Sequence, residues 1–293
     1  MKHFTTVLAV LLIWAVDLSP AEAMGPAETK AAHWRAEMAL RGRINRTGVG
    51  TKSSLSYRVP LSASRHILLS GAQAESGLEL ALSPASVEPA LFFRMIPVSP
   101  LLLGVSAQHI RWYGTFGNLS HYPGLQPDWS PARLRERGWE RNVGQTGSGY
   151  RLTAQAMLRL KVGPVVGLFD TLYKWVGAKV PPGTSFIPAA ENLLVAHRDL
   201  IVTHKADMLY FLAGQPSGKR FFMAGLHWEG HRTRDTQVER QILGGIAGWR
   251  TPGPDDWSMT LAGIVGAYTV DPYLEGQLYV GASLALEQTW TDD

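Results

Sequence analysis

The chain of 293 residues contains no cysteine. That excludes a disulfide framework, a thiolate metal site and lipid attachment through a cysteine. It also lacks a membrane helix, which needs about 20 consecutive apolar residues. The most apolar stretch beyond the N-terminus, Leu91 to Ala107, is interrupted by Arg94, Pro97 and Pro100. Charged residues make up only 18% of the chain, with a formal net charge of +4. No basic cluster accompanies that small excess, so a nucleic-acid partner is not expected. A phosphate-binding loop is missing too: Gly214 to Lys219 places three residues between its glycines where such a loop needs four. Low-complexity tracts and long helical periods are absent, so nothing argues for a second domain.

What is present begins with an export signal. Lys2 supplies a positive start, Thr5 to Val16 is a short uncharged apolar run, and Ala21-Glu22-Ala23 has the small-x-small pattern of a cleavage site. Residues 1–23 are therefore expected to be a signal peptide and residues 24–293 a single domain. Removing Lys2, Asp17 and Glu22 raises the formal charge from +4 to +5.

Three separated segments then alternate apolar and polar residues with period two. In the first, Trp34, Ala36, Met38 and Leu40 face away from Arg35, Glu37, Arg41 and Arg43. In the second, Tyr150, Leu152, Ala154, Ala156, Leu158, Leu160 and Val162 alternate with Arg151, Thr153, Gln155, Met157, Arg159 and Lys161. In the last, Leu278, Val280, Ala282, Leu284, Leu286 and Trp290 oppose Gln277, Ser283, Glu287 and Thr289. Such alternation is a strand signal, and these runs exceed the usual strand of five or six residues. A clean apolar face opposite a charged one suits a strand with lipid on one side and a polar lumen on the other. On this register Leu284→Arg is expected to be costly and Ser283→Arg better tolerated.

Weaker candidates fall near 64–74, 76–83, 87–96, 101–114, 165–176, 200–213, 219–231, 237–250 and 257–269. The total is about twelve antiparallel strands, within a range of ten to fourteen. Long connections are expected near 45–63, 116–148 and 177–198, all on one side. Short links rich in Gly and Pro, such as Pro97 to Pro100 and Gly163-Pro164, fall on the other. The expected fold is all-β, an antiparallel transmembrane β-barrel. The runner-up is a soluble barrel or sandwich, which shows the same alternation with the faces exchanged.

These features together resemble the bacterial outer-membrane β-barrel proteins as a class: signal, no cysteine, alternating strands, asymmetric loops and an aromatic near the chain end. The resemblance covers most of residues 32–290 and is one of architecture, so it carries no catalytic residues. It implies residence in the cell outer membrane and contact with outer-membrane lipid and lipopolysaccharide. It further implies handling by the barrel-assembly machinery through the C-terminal strand.

The polar residues expected to line the lumen are Arg35, Glu37, Arg41, Arg43, Arg159, Lys161, Lys205, Asp207, His227, Glu229, His231 and Glu287. His227, Glu229 and His231 share one strand face. They are credible metal ligands by type, but successive inward residues lie about 7 Å apart, so a polar stripe is the simpler reading. No metal or cofactor is therefore expected. Lys205 or Asp207 on the preceding strand is positioned to pair with Glu229 or His231. The cationic face of Arg35, Arg41, Arg43, Arg159 and Lys161 would favour anions if a pore were open. In the loop 116–148, Arg133, Arg135, Arg137 and Arg141 are suited to pair with phosphate. Asn45-Arg46-Thr47 and Asn118-Leu119-Ser120 are glycosylation sequons by pattern.

Two functions from different classes follow: a small passive channel, and a structural or surface-binding barrel whose lumen is filled by its own side chains. A lipid-modifying enzyme is the least favoured. It would need a Ser beside a His base at the lipid boundary, and the adjacent Ser120 and His121 would point to opposite sides of a strand.

Overall fold

The computed structural model describes residues 32–44, 48–64, 66, 68–113, 121–128, 130, 146–188, 193–214, 220–253 and 257–291. The signal segment 1–23, both sequons, and Arg133, Arg135, Arg137 and Arg141 lie outside the described residues.

Fifteen strands follow one another in the described residues, of which twelve close a barrel. The barrel strands are β1 (His33–Ile44), β2 (Gly48–Pro60), β3 (Gln73–Leu82), β4 (Ser86–Val98), β5 (Leu101–Trp112), β7 (Gly147–Val162), β8 (Val165–Ala178), β11 (Arg198–Gly214), β12 (Phe221–Thr233), β13 (Glu239–Pro252), β14 (Trp257–Val270) and β15 (Leu278–Thr291). Each pairs antiparallel with its neighbours in the chain's order of barrel strands, and β1 closes the ring against β15 with His33 opposite Thr291. Three short strands, β6 (His121–Pro123), β9 (Thr184–Phe186) and β10 (Val195–Ala196), form a small separate sheet. The expected count of twelve holds, but one placement does not. Residues 48–60 form β2, not a long connection, while 61–72 are a link rather than a strand. The cause lies in β2's outward face, which carries Thr51 and Ser53 where the other strands carry aliphatic residues.

Antiparallel order puts the connections on two rims. The links 45–47, 83–85, 113–146, 179–197, 234–238 and 271–277 share the loop rim. Both ends of the barrel and the links 61–72, 99–100, 163–164, 215–220 and 253–256 share the termini rim. One of the two two-residue turns, Gly163-Pro164, depends on Gly163 at φ +58°, a left-handed conformation that a side chain would strain.

The faces of the wall are inverted relative to a water-soluble protein. Leu91 and Leu78 are 62% and 60% exposed on the outside, whereas Arg35 and His227 are each 2% exposed. Val105, Leu160, Met208, Leu226, Leu243, Val265 and Leu278 continue the exposed apolar band around the ring. That excludes the soluble alternative, which requires the opposite assignment. Aromatic side chains border the band at both levels. Trp34, Tyr210, Phe222, Trp249, Trp257 and Trp290 are exposed near the termini rim, and Tyr113, Tyr150, Tyr173 and Trp175 near the loop rim. Trp175 stands opposite Leu200, ten positions along β11 from Tyr210. Ten positions span about 33 Å along a strand, or about 25 Å of height at the roughly 40° tilt usual for such barrels. Girdled apolar bands of about that height are what a bilayer selects.

At the loop rim the mouth carries a core of its own. Tyr122, Phe186, Leu193, Leu194 and Val195, all from the connections, pack on the inward-facing Ile110, Trp112, Val176 and Ile201. Trp112 and Phe186 meet edge to face at 5.9 Å. Asp199 pins this cap to the next turn. Its carboxylate accepts the backbone N–H groups of Ala196 at 3.1 Å, Leu200 at 2.8 Å and Asp235 at 2.9 Å.

Candidate functional site: the charged interior

The interior face can be built from the register. Arg35 on β1, Glu287 on β15, and Ser56 and Arg58 on β2 share the inward face near the termini rim with Glu75 on β3. Arg35 lies 2.9 Å from Glu37, 3.1 Å from Glu287 and 3.8 Å from Glu75. Glu75 in turn receives Arg58 at 3.2 Å and the Ser56 hydroxyl at 2.5 Å, with Arg94 at 3.9 Å. Arg250 reaches Glu287 at 3.5 Å and donates to the Ser258 hydroxyl at 2.8 Å. Arg35 and Arg250 thus flank Glu287, and Arg35, Arg58 and Arg94 surround Glu75, as burial requires of charge that must find a partner.

A second group lies on β4, β5 and β7. Arg151 donates to Glu88 at 3.2 Å and to Gln108 at 2.7 Å, and Gln108 also donates to Glu88 at 3.0 Å. The third group contains the histidines. Lys205 stands directly opposite Glu229, and Asp207 opposite His227. Glu229 lies 3.3 Å from Lys205 and 3.1 Å from His231 Nε2. His227 Nδ1 is 2.6 Å from Asp207, and Thr203 shares a hydrogen bond of 3.1 Å with His231. The carboxylate therefore sits between two imidazoles and an ammonium. Among the described residues no group of three or more His, Asp or Glu is arranged to hold a metal ion.

Of the twelve residues singled out by sequence, the structure brings Arg35, Glu37 and Glu287 together, and separately Lys205, Asp207, His227, Glu229 and His231. Arg41 and Arg43 are half-buried further along β1. Arg159 is buried on β7, five strands round the ring from β1, and Lys161 is exposed beside the turn 163–164. The five cations of the expected anion-attracting face thus do not form one column. Ser283, where Arg is expected to be better tolerated than at Leu284, is 1% exposed and stands opposite Arg41 and Ala262. Sequence alone missed Glu75, Glu88, Arg58 and Arg250, because their partners are set by register across the ring.

For the lipid-modifying reading, the pair Ser64 and His66 has a two-residue spacing but lies in the link after β2. There the Ser64 hydroxyl accepts the backbone N–H of His66 at 3.2 Å. On the outer wall, Thr171 and His204 share a hydrogen bond of 3.0 Å, beneath Phe169 stacked on the imidazole. Among the described residues no acid or amide orients that ring.

The exterior and interior together define a transmembrane β-barrel with an ion-paired lumen. Comparison with known proteins adds no narrower identity: no family model and no curated protein matches the chain. Among solved structures, an outer membrane channel from Pseudomonas putida is similar over 94% of this chain and 100% of its own, at 9% identity and a TM-score of 0.49. The beta domain of the Bordetella autotransporter BrkA covers 87% of this chain and 99% of its own, at 12% identity and a TM-score of 0.45. The toluene transporter TodX of Pseudomonas putida covers 94% of both chains, at 10% identity and a TM-score of 0.32.

Proposed function

We propose that the chain is an exported bacterial outer-membrane barrel in which residues 1–23 are the signal and residues 24–293 the barrel domain. In this reading β15, with Trp290 near its end, is the strand that the barrel-assembly machinery engages. Its lumen is occupied by its own side chains, so that it acts as a structural or surface-binding barrel rather than a wide pore. The observation that carries this reading is the Arg35 hub, where one guanidinium at 2% exposure ties Glu37 and Glu287 and approaches Glu75. Small barrels are commonly filled in this way, whereas clear aqueous channels belong to larger rings. The apolar cap at the loop rim adds a second obstruction.

A narrow anion path is the second reading. The side chains of Lys52, Arg94 and Lys205 keep 22%, 27% and 25% of their surface exposed inside the ring. Each has an acidic neighbour, which weakens the field that would select anions.

The test is made on protein recovered from outer membranes and shown to be heat-modifiable on gels. In a planar bilayer it is expected to give no steady current. Regular steps whose reversal potential in a KCl gradient indicates anions would favour the narrow path instead. Recovery as a soluble periplasmic monomer would remove both.

A further inference from the structure

The outer wall at the loop rim carries a feature that the lumen does not explain. His109, Tyr150, Gly177 and Arg198 are direct register partners on the adjacent strands β5, β7, β8 and β11. Their neighbours Ile110, Gly149, Val176 and Asp199 are buried, so the row of four faces outward. One step nearer the rim, Arg111 stands opposite Ser148, whose carbonyl accepts the backbone N–H of Lys179 at 3.0 Å. The Tyr150 ring lies across Gly177, where an added Cβ would meet it at 2.6 Å. Beside this contact lies a cleft of about 290 Å³, lined among others by His109, Ser148, Tyr150, Lys179 and Arg198. No carboxylate is among its lining residues, and Asp199, next to Arg198, is turned inward to cap the loop. His197 also lines the cleft, and its buried Nδ1 has no hydrogen-bond partner among the described residues. Arg111, Lys179 and Arg198 form no ion pair among the described residues.

We propose that this cleft binds the phosphate of a membrane lipid headgroup. The chemistry is that of the groups present. Arg presents paired N–H donors to phosphate oxygens and Lys adds a point charge. The Tyr150 face supports the sugar or glycerol beside the phosphate. The height is that of the headgroups, because Tyr150, Tyr173 and Trp175 form the aromatic border of the apolar band at this rim. Lys179 and Arg198 line the cleft, and Arg111 stands outside it, opposite the lining residue Ser148; cations spread in this way suit a headgroup with more than one phosphate. The cleft lies at the lower end of the range for small-molecule pockets, about 300–1,000 Å³. It therefore takes the phosphorylated end of a lipid while the acyl chains run down the apolar wall. This inference rests on the membrane-spanning reading.

The experiment uses the purified protein in detergent, titrated with a bisphosphorylated glucosamine lipid and followed by native mass spectrometry. The wild type is expected to retain the lipid. The variant R111A/K179A/R198A is expected to bind about tenfold more weakly, as loss of charge-assisted contacts implies. R220A removes an exposed cation at the opposite rim and is expected to leave binding unchanged. Equal retention by the triple variant, or an equal loss in R220A, would overturn the site. Equal retention of phosphatidylcholine, which carries a single phosphate, would overturn the match to a headgroup with more than one. Displacement of the lipid by equimolar inorganic phosphate would overturn its assignment to a headgroup. Heat-modifiability of each variant is read in parallel. A folded barrel that retains no lipid refutes the cleft alone, whereas a wild type without a heat-modifiable form refutes the membrane reading.

Discussion

Leu226→Arg is expected to destabilise the folded protein in lipid vesicles by about 2–4 kcal/mol, the range for a cation placed at the bilayer midplane. Leu226 lies near the middle of β12, faces outward between Met208 and Gly245, and is 56% exposed. In a water-soluble protein, replacing an exposed leucine with arginine would be neutral or favourable, since surface substitutions away from special features stay within about 0.5 kcal/mol. The two environments thus give opposite expectations for one substitution. Equilibrium unfolding of the wild type and the variant in vesicles measures the difference, and a change below 0.5 kcal/mol would contradict a lipid-facing Leu226.

Arg35→Met should cost about 3–5 kcal/mol, because removing one member of a buried charged group strands its partners. Arg35 has nearby carboxylates on two other strands, Glu287 on β15 and Glu75 on β3. The loss therefore falls at the closure of the ring, where the first and last barrel strands meet. Met keeps most of the aliphatic volume, which separates the electrostatic loss from a cavity. Adding Glu287→Gln to Arg35→Met should recover part of the stability, since one stranded charge is gone. Additive losses in that double variant, measured by the same unfolding titration, would show that the two groups are not coupled.

The fold was legible where the two faces of a strand differ strongly. β1, β7 and β15 each place charged or polar residues opposite an aliphatic face, and all three lie where the alternation puts them, give or take a few residues at their ends. β2 was not legible, because Thr51 and Ser53 occupy outward positions and the alternation emerges only from Leu55 onward. The cap strands β6, β9 and β10 contain two or three residues each, too short for any period. Their signal is compositional: Leu193 to Ala196 is an apolar run within the connection 179–197. Pairing of Lys205 with Glu229 could be anticipated because β11 and β12 are consecutive. Convergence of Arg35, Glu75 and Glu287 could not, since it depends on closure between the two ends of the barrel. The lipid-side cleft is likewise a product of register, as His109 and Arg198 come to line one cleft only when four strands are aligned.

The aliphatic face of the wall meets lipid and the charged face encloses the lumen. The absence of native cysteine makes a direct test simple. Single cysteines at Leu78, Leu226 and Leu243 on the outside, and at Ser106 and Gln155 on the inside, would carry nitroxide labels in vesicles. Their collision with oxygen and with a water-soluble nickel chelate would then be compared. High oxygen and low nickel accessibility is expected at the three leucine positions, and no such preference for oxygen at Ser106 and Gln155. Leucine positions more accessible to nickel than to oxygen would contradict it.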